Sequence, residues 1–193
     1  MRTATVNRTT KETDISVTLN LDGSGKCDIS TGIGFFDHML TAFTVHGGFD
    51  LTLSCKGDLE VDTHHTVEDC GIVLGKAFAE AVGDKAGIDR FGSFYVPMDE
   101  ALGFAAVDIS GRPYLKFDLN FTCEKIGELE TETVLEFWRA FAMNSLTTLH
   151  IKAEYFDNNH HICEEIFKAA AQSLRLAVKP RGNNAVLSTK GVL

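Results

Sequence analysis

The chain has 193 residues, 44% of them hydrophobic, with 27 acidic against 18 basic side chains and a formal net charge of −9. That apolar content supports a buried core rather than a disordered chain, and the negative charge speaks against a nucleic-acid partner, whose phosphates ask for a basic face. No apolar run approaches the roughly 18 residues that a membrane span needs. Met1-Arg2-Thr3-Ala4-Thr5 lacks the apolar stretch of a signal peptide, and the five cysteines form no C-x-x-C pair, so a reduced, cytoplasmic chain is expected.

In chain order, alternation marks Ile15-Ser16-Val17-Thr18-Leu19 as a strand, with Asp22-Gly23 as a hairpin signal. A helix is predicted over Phe36 to His46 and a strand over Phe49 to Leu53. A long helix follows from about Thr63 to Val82, with Asp62 as its cap. The second half repeats this order. Strand-prone runs occupy Gly92–Met98, Leu102–Ile109 and Tyr114–Leu119, then come a helix at Thr133–Leu146, a strand at Thr148–Ala153 and a helix from about Asn159 to Val178. Each half reads strand, strand, strand, helix, strand, helix. The expected fold is α+β, with internally duplicated βββαβα halves (1–91 and 92–193) in one compact domain, its sheets packed against helices. Leu51-Thr52-Leu53 maps onto Leu149-His150-Ile151 at an offset of 149 − 51 = 98, which also carries His38 onto Glu136.

Within this repeat one pattern is written twice. His64-His65-Thr66-Val67-Glu68 and His160-His161-Ile162-Cys163-Glu164 both read H-H-x-x-E, 160 − 64 = 96 residues apart. At a helix start, Glu68 shares a face with His65 (i, i+3) or His64 (i, i+4), and Glu164 likewise with His161 or His160. Imidazole with carboxylate suits a borderline or hard divalent cation, and Mn²⁺, Fe²⁺ and Zn²⁺ all remain open. A closed site wants further donors from the other half. The repeat nominates His38 for one site and Glu136 for its counterpart, with Glu130, Glu132 and Glu165 as competitors. His46 and His150 stand alone and read as ordinary polar residues, and Cys70 and Cys163 as small core residues.

Arg90, Arg112, Lys168 and the tail Ser188-Thr189-Lys190-Gly191 are candidates for holding a phosphate. The segment Arg8-Thr9-Thr10-Lys11-Glu12-Thr13 sets one carboxylate among hydroxyls. Gly32-Ile33-Gly34 lacks the third glycine of a dinucleotide fingerprint.

Taken together, these motifs resemble the imidazoleglycerol-phosphate dehydratase family along nearly the whole chain. The resemblance is carried by Arg8-x-Thr10-x-Glu12-Thr13, Gly32-x-Gly34-Phe35-Phe36-Asp37-His38-Met39-Leu40 and Asp62-Thr63-His64-His65-Thr66-Val67-Glu68-Asp69. It continues in Asp89-Arg90-Phe91-Gly92, Asp108-x-Ser110-Gly111-Arg112-Pro113, Asn159-His160-His161-x-x-Glu164-x-x-Phe167-Lys168-Ala169 and Ser188-Thr189-Lys190-Gly191. It implies a ribosomal protein S5 domain 2-like fold and two Mn²⁺ ions per active site. The implied ligands are His38, His64, His65, Glu68, His160, His161 and Glu164, with Glu136 standing where family members often have histidine. Ala42 is a second departure, at a position where related enzymes frequently have glutamine.

The implied reaction removes water from D-erythro-imidazoleglycerol phosphate to give imidazole-acetol phosphate in histidine biosynthesis. The substrate ring bridges the two metals as imidazolate, and electron release expels the hydroxyl through a diazafulvene-like intermediate. By the same resemblance Glu12 moves the proton, Arg90, Arg112, Lys168, Ser188 and Lys190 hold the phosphate, and the partners are 23 further copies in a 24-subunit particle. Two other readings use the same residues. A binuclear phosphoesterase would also combine His/Glu pairs with cationic clamps. A di-iron bundle would use the reverse Glu-x-x-His order on long helices and shows no strands.

Overall fold

The computed structural model describes residues 2–191, so Met1, the first residue of the leader-free N-terminus, lies outside them, as do the last two residues of the second half. The first half comprises β1 (Thr3–Thr9), β2 (Thr13–Asn20), β3 (Cys27–Ser30), α1 (Gly34–Gly47), β4 (Asp50–Gly57) and α2 (His64–Val82). The second comprises β5 (Phe91–Met98), β6 (Ala101–Asp108), β7 (Tyr114–Asp118), the short β8 (Lys125–Ile126) and β9 (Leu129–Glu130), α3 (Glu132–Ser145), β10 (Thr148–Tyr155) and α4 (Asn159–Ala177). The two main sheets have matching orders, β1-β2-β4-β3 and β5-β6-β10-β7, each with its last pair parallel. The α+β duplication is therefore present, and β8–β9 is an addition to the second copy alone.

Asp22-Gly23 does not close a hairpin, contrary to the sequence signal. β2 and β3 lie on either side of β4, so the chain must cross the end of that strand. The crossing is tied down by the Asp50 carboxylate, which accepts from the Ser24 and Lys26 backbone N–H groups at 2.7 and 3.0 Å. A side chain at Gly23 would meet the Asp50 backbone at 2.2 Å, so glycine is required by close approach. The hairpin in this half is β1–β2, turning through residues 10–12.

Period-two burial gives each sheet one covered face, clearest in β2 and β6. On these faces lie the four helices, α2 over β1 and β2 and α4 over β5 and β6. Each of these helices also packs against the first helix of the other half, α2 on α3 and α4 on α1. Aromatic rings fill the middle. Phe137 on α3 stacks on Phe167 of α4 at 5.4 Å and meets Phe36 of α1 edge-on at 5.3 Å, while Phe78 of α2 contacts Phe141 at 5.7 Å. All of these rings are fully buried. Fully burying one such side chain stabilises by about 1.5–3 kcal/mol, so this cluster holds the halves together.

The crossed packing positions the site. A helix start from one half is laid beside a helix from the other, so donors 98 residues apart in pattern become neighbours in space.

Candidate metal centre and phosphate cavity

α4 begins at Asn158, whose side chain caps the backbone N–H groups of His160 and His161 at 2.8 and 3.4 Å. α2 begins differently. Thr63 uses no side-chain cap of its own, and Asp62, the expected cap, accepts the His64 N–H at 2.8 Å. Glu130, one of the competitors for metal ligation, is instead committed to the Thr63 hydroxyl at 2.8 Å and to Lys125 at 3.1 Å.

In both motifs the glutamate pairs with the first histidine. His64 Nε2 lies 3.3 Å from Glu68 Oε2, and His160 Nε2 lies 3.4 Å from Glu164 Oε2, both at i, i+4. His38 comes across from α1 to place its Nε2 3.2 Å from the same Glu164 oxygen. His38, His160 and Glu164 thus offer three ligand atoms within 4.8 Å of one another. Phe35 walls the cluster, its ring 4.9 Å from that of His160. Burial opposes the charge on Glu164, but the Lys168 ammonium at 2.7 Å and His38 outweigh it and lower its pKa. The carboxylate is kept ionised, the form that binds a cation.

The counterpart set is not gathered in the same way. Glu136 points to Arg139, one turn along α3, and forms an ion pair with it. Among the described residues, Glu136 makes no three-donor group with His64 and Glu68. Glu165, another competitor, is fully buried, with burial raising its pKa and Lys168 bonded to one oxygen at 3.0 Å.

The second histidine of each motif turns the other way. His65 Nδ1 lies 3.0 Å from Asp58, and His161 Nδ1 lies 3.0 Å from Glu100. Neither carboxylate was singled out from the sequence, because no fixed spacing ties it to its histidine. The Asp58 hydrogen bond, reinforced by the charge of Glu12, raises the pKa of His65. Glu12 sits in the β1–β2 turn, 3.9 Å from His65 Nε2. Glu100 has its pKa lowered, first by its own backbone N–H and then by His161. His150 is exposed and lies near Tyr114, while burial first and Lys168 second depress the pKa of His46. Cys70 and Cys163 are core residues, and burial pushes the Cys163 thiol up.

Four of the five candidate phosphate residues line one open cavity of about 700 Å³: Arg90, Arg112, Ser188 and Lys190. Arg90 holds φ at 69°, a left-handed conformation costly for a residue with a Cβ. It is kept there by Asp108, 2.6 Å from its Nε, and by the Leu187 carbonyl, 2.6 Å from Nη1. Arg112 reaches the same Asp108 at 3.7 Å and is otherwise exposed, so its guanidinium is open to an anion. Lys168 is not part of this cavity. It lies between Glu164 and Glu165 on α4.

Comparison with known proteins agrees with this geometry. The imidazoleglycerol-phosphate dehydratase family profile matches residues 31–174. Proteins of that name from Gluconacetobacter diazotrophicus and Caldanaerobacter subterraneus are each 59% identical over all of this chain, which covers 98% and 100% of their lengths. The crystal structure of the dehydratase from Staphylococcus aureus superposes with a TM-score of 0.84 at 40% identity, over 92% of this chain and 99% of that one. That of the Pyrococcus furiosus enzyme, in complex with (S)-C348, gives 0.85 at 40% identity, over 97% and 100%. With full-length identity above half and the fold matched end to end, the chain belongs to the imidazoleglycerol-phosphate dehydratase family.

Proposed function

We propose that the chain dehydrates D-erythro-imidazoleglycerol phosphate to imidazole-acetol phosphate in histidine biosynthesis, with the substrate ring held as imidazolate between two divalent cations. The observation that carries this reading is the convergence of His38, His160 and Glu164 from two helices of different halves. The donor set fits a divalent metal: two imidazole nitrogens and an ionised carboxylate, with no thiolate among them. His38, His160 and Glu164 would hold one Mn²⁺, and His64, Glu68 and Glu136 the other, once Glu136 exchanges Arg139 for the cation. His65 and His161 supply the remaining imidazoles.

When bound, such cations supply Lewis acidity that favours the anionic form of the ring. The chain's own residues do the rest. Arg90, Arg112, Ser188 and Lys190 orient the substrate by its phosphate, and charge-assisted contacts of this kind fix direction as well as affinity. Lys168 keeps Glu164 ionised and adds a further cation for the phosphate. The hydroxyl on the carbon attached to the ring leaves as water, and the proton of the next carbon is lost to give an enol that becomes the ketone. Glu12, within reach of His65 and exposed, moves that proton as general acid and base.

His65 and His161 carry an Nε2 that the three-donor set of their own chain does not use, and Lys168 is held apart from the other phosphate residues. Both features support completion of each site by a neighbouring copy in a symmetric homo-oligomer, a 24-mer by family resemblance. A cytoplasmic setting is supported by five free cysteines, and no helix among the described residues is long and apolar enough to cross a membrane.

The test is turnover. Purified protein reconstituted with Mn²⁺ is expected to release an imidazole ketone phosphate from imidazoleglycerol phosphate. Release of inorganic phosphate from that compound or from generic esters would favour the phosphoesterase reading instead.

A further inference from the structure

We propose that Asp58 and Glu100 are positioning residues for the two repeat-related histidines His65 and His161, and that they free Glu12 for proton transfer. The inference rests on the metal reading above.

A carboxylate can only accept a hydrogen bond, so the contacts at 3.0 Å require a proton on Nδ1 of both rings. In a neutral imidazole that leaves the Nε2 lone pair exposed and aims it away from the brace, as a metal ligand needs. The two braces are not copies of one another. Asp58 follows β4, whereas Glu100 sits in the β5–β6 turn. At the repeat offset of 98 the counterpart of Asp58 is Phe156, because residues 58–63 before α2 are shortened to 156–158 before α4. The second half has therefore lost the first half's brace and acquired another from a different element. Two unrelated solutions for equivalent nitrogens mark the hydrogen bond itself as the selected feature.

The topological counterpart of the β5–β6 turn is the β1–β2 turn, which carries Glu12. Both turns deliver a carboxylate to the second histidine of their motif, but to opposite sides of the ring: Glu12 faces Nε2 of His65 and Glu100 holds Nδ1 of His161. Since Asp58 already holds His65, Glu12 is left unengaged. Since nothing else holds His161, Glu100 is used as the brace. The second turn is built at a cost, with Asp99 held at φ 50°. Glu100 is fixed further by the Asn158 N–H at 2.9 Å, which joins it to the capping residue of α4. One half thus keeps a free acid/base and the other spends its carboxylate on geometry.

The experiment uses the full chain labelled with ¹⁵N-histidine and Mn²⁺ as the probe. Metal-free protein at neutral pH is expected to show His65 and His161 protonated on Nδ1. Asp58→Ala should change the protonated nitrogen of His65 alone, and Glu100→Ala that of His161 alone. Each should weaken Mn²⁺ binding, followed by electron paramagnetic resonance, by roughly 10–100-fold. Glu100→Gln, which retains an acceptor oxygen, should recover most of that loss. Unchanged ring protonation and unchanged Mn²⁺ affinity in both alanine variants would overturn the inference. Failure of the unaltered chain to bind Mn²⁺ would instead overturn the metal reading, and the protonation data would still decide the brace.

Discussion

Gly92 offers a direct test of how packing sets the geometry of the metal cluster. It lies in β5 under α4, and a Cβ added there would come 1.9 Å from the Ser173 carbonyl oxygen and 3.0 Å from the Ala177 nitrogen. An ordinary C···O contact needs about 3.3 Å, so Gly92→Ala demands that α4 and β5 separate by about 3.3 − 1.9 = 1.4 Å. Both clashing groups are backbone, and α4 cannot simply lift, because Ser173 Oγ donates to the Ala105 carbonyl at 2.9 Å. Overpacking typically costs about 1–3 kcal/mol and loss of that hydrogen bond about 1 kcal/mol more, so a net destabilisation of about 3 kcal/mol is expected. For a chain of this size each kcal/mol shifts Tm by roughly 2–4 °C, giving a fall of roughly 6–12 °C by calorimetry. The same shift tilts α4 against α1, so Mn²⁺ affinity should fall with it. Gly34→Ala is the control, since nothing lies within 4 Å of a Cβ there. A Gly92→Ala protein that melts as hot as the Gly34→Ala protein would refute the close-approach argument.

Glu12→Gln should retain Mn²⁺ binding and assembly while turnover falls by about 10²–10⁴, the usual worth of a general acid/base; full turnover would remove Glu12 from the mechanism. Arg112→Met should raise KM for the phosphorylated substrate with a smaller change in kcat, because its guanidinium is 67% exposed and has only a long contact to Asp108. Equal KM values would take Arg112 out of phosphate binding. Arg2 holds the Asp22 carboxyl below its ordinary pKa of 3.8, chiefly by side-chain hydrogen bonding. A lowered carboxylate pKa contributes stability above pH 3.8 that disappears as pH falls through the lowered value. The side chain of Asp22 is 40% exposed, so screening limits the loss in Asp22→Asn at pH 7 to at most about 1 kcal/mol, vanishing in strong acid. Thiol alkylation of the native protein, read by mass spectrometry, should modify exposed Cys27 and spare Cys70 and Cys163.

Much of this was legible in the chain itself. The H-H-x-x-E pattern needs only the helical period to place His160 beside Glu164, and the 98-residue repeat sufficed to nominate His38 as their third partner. Helix limits fell within one or two residues, because the apolar stripes and Gly48 mark them. What local pattern could not supply were contacts between elements. Asp22-Gly23 has the composition of a hairpin turn, yet β4 must insert between β2 and β3 to complete the sheet. Asp58 and Glu100 carry no periodic signal, since hydrogen bonds across a fold need proximity and not spacing. Nor could sequence show Arg139 claiming Glu136, or Lys168 held between two glutamates. Local periodicity determined the elements and the donor types. Packing of each second helix on the other half decided which donors meet, because burial of the central aromatic rings sets that arrangement from residues far apart in the chain.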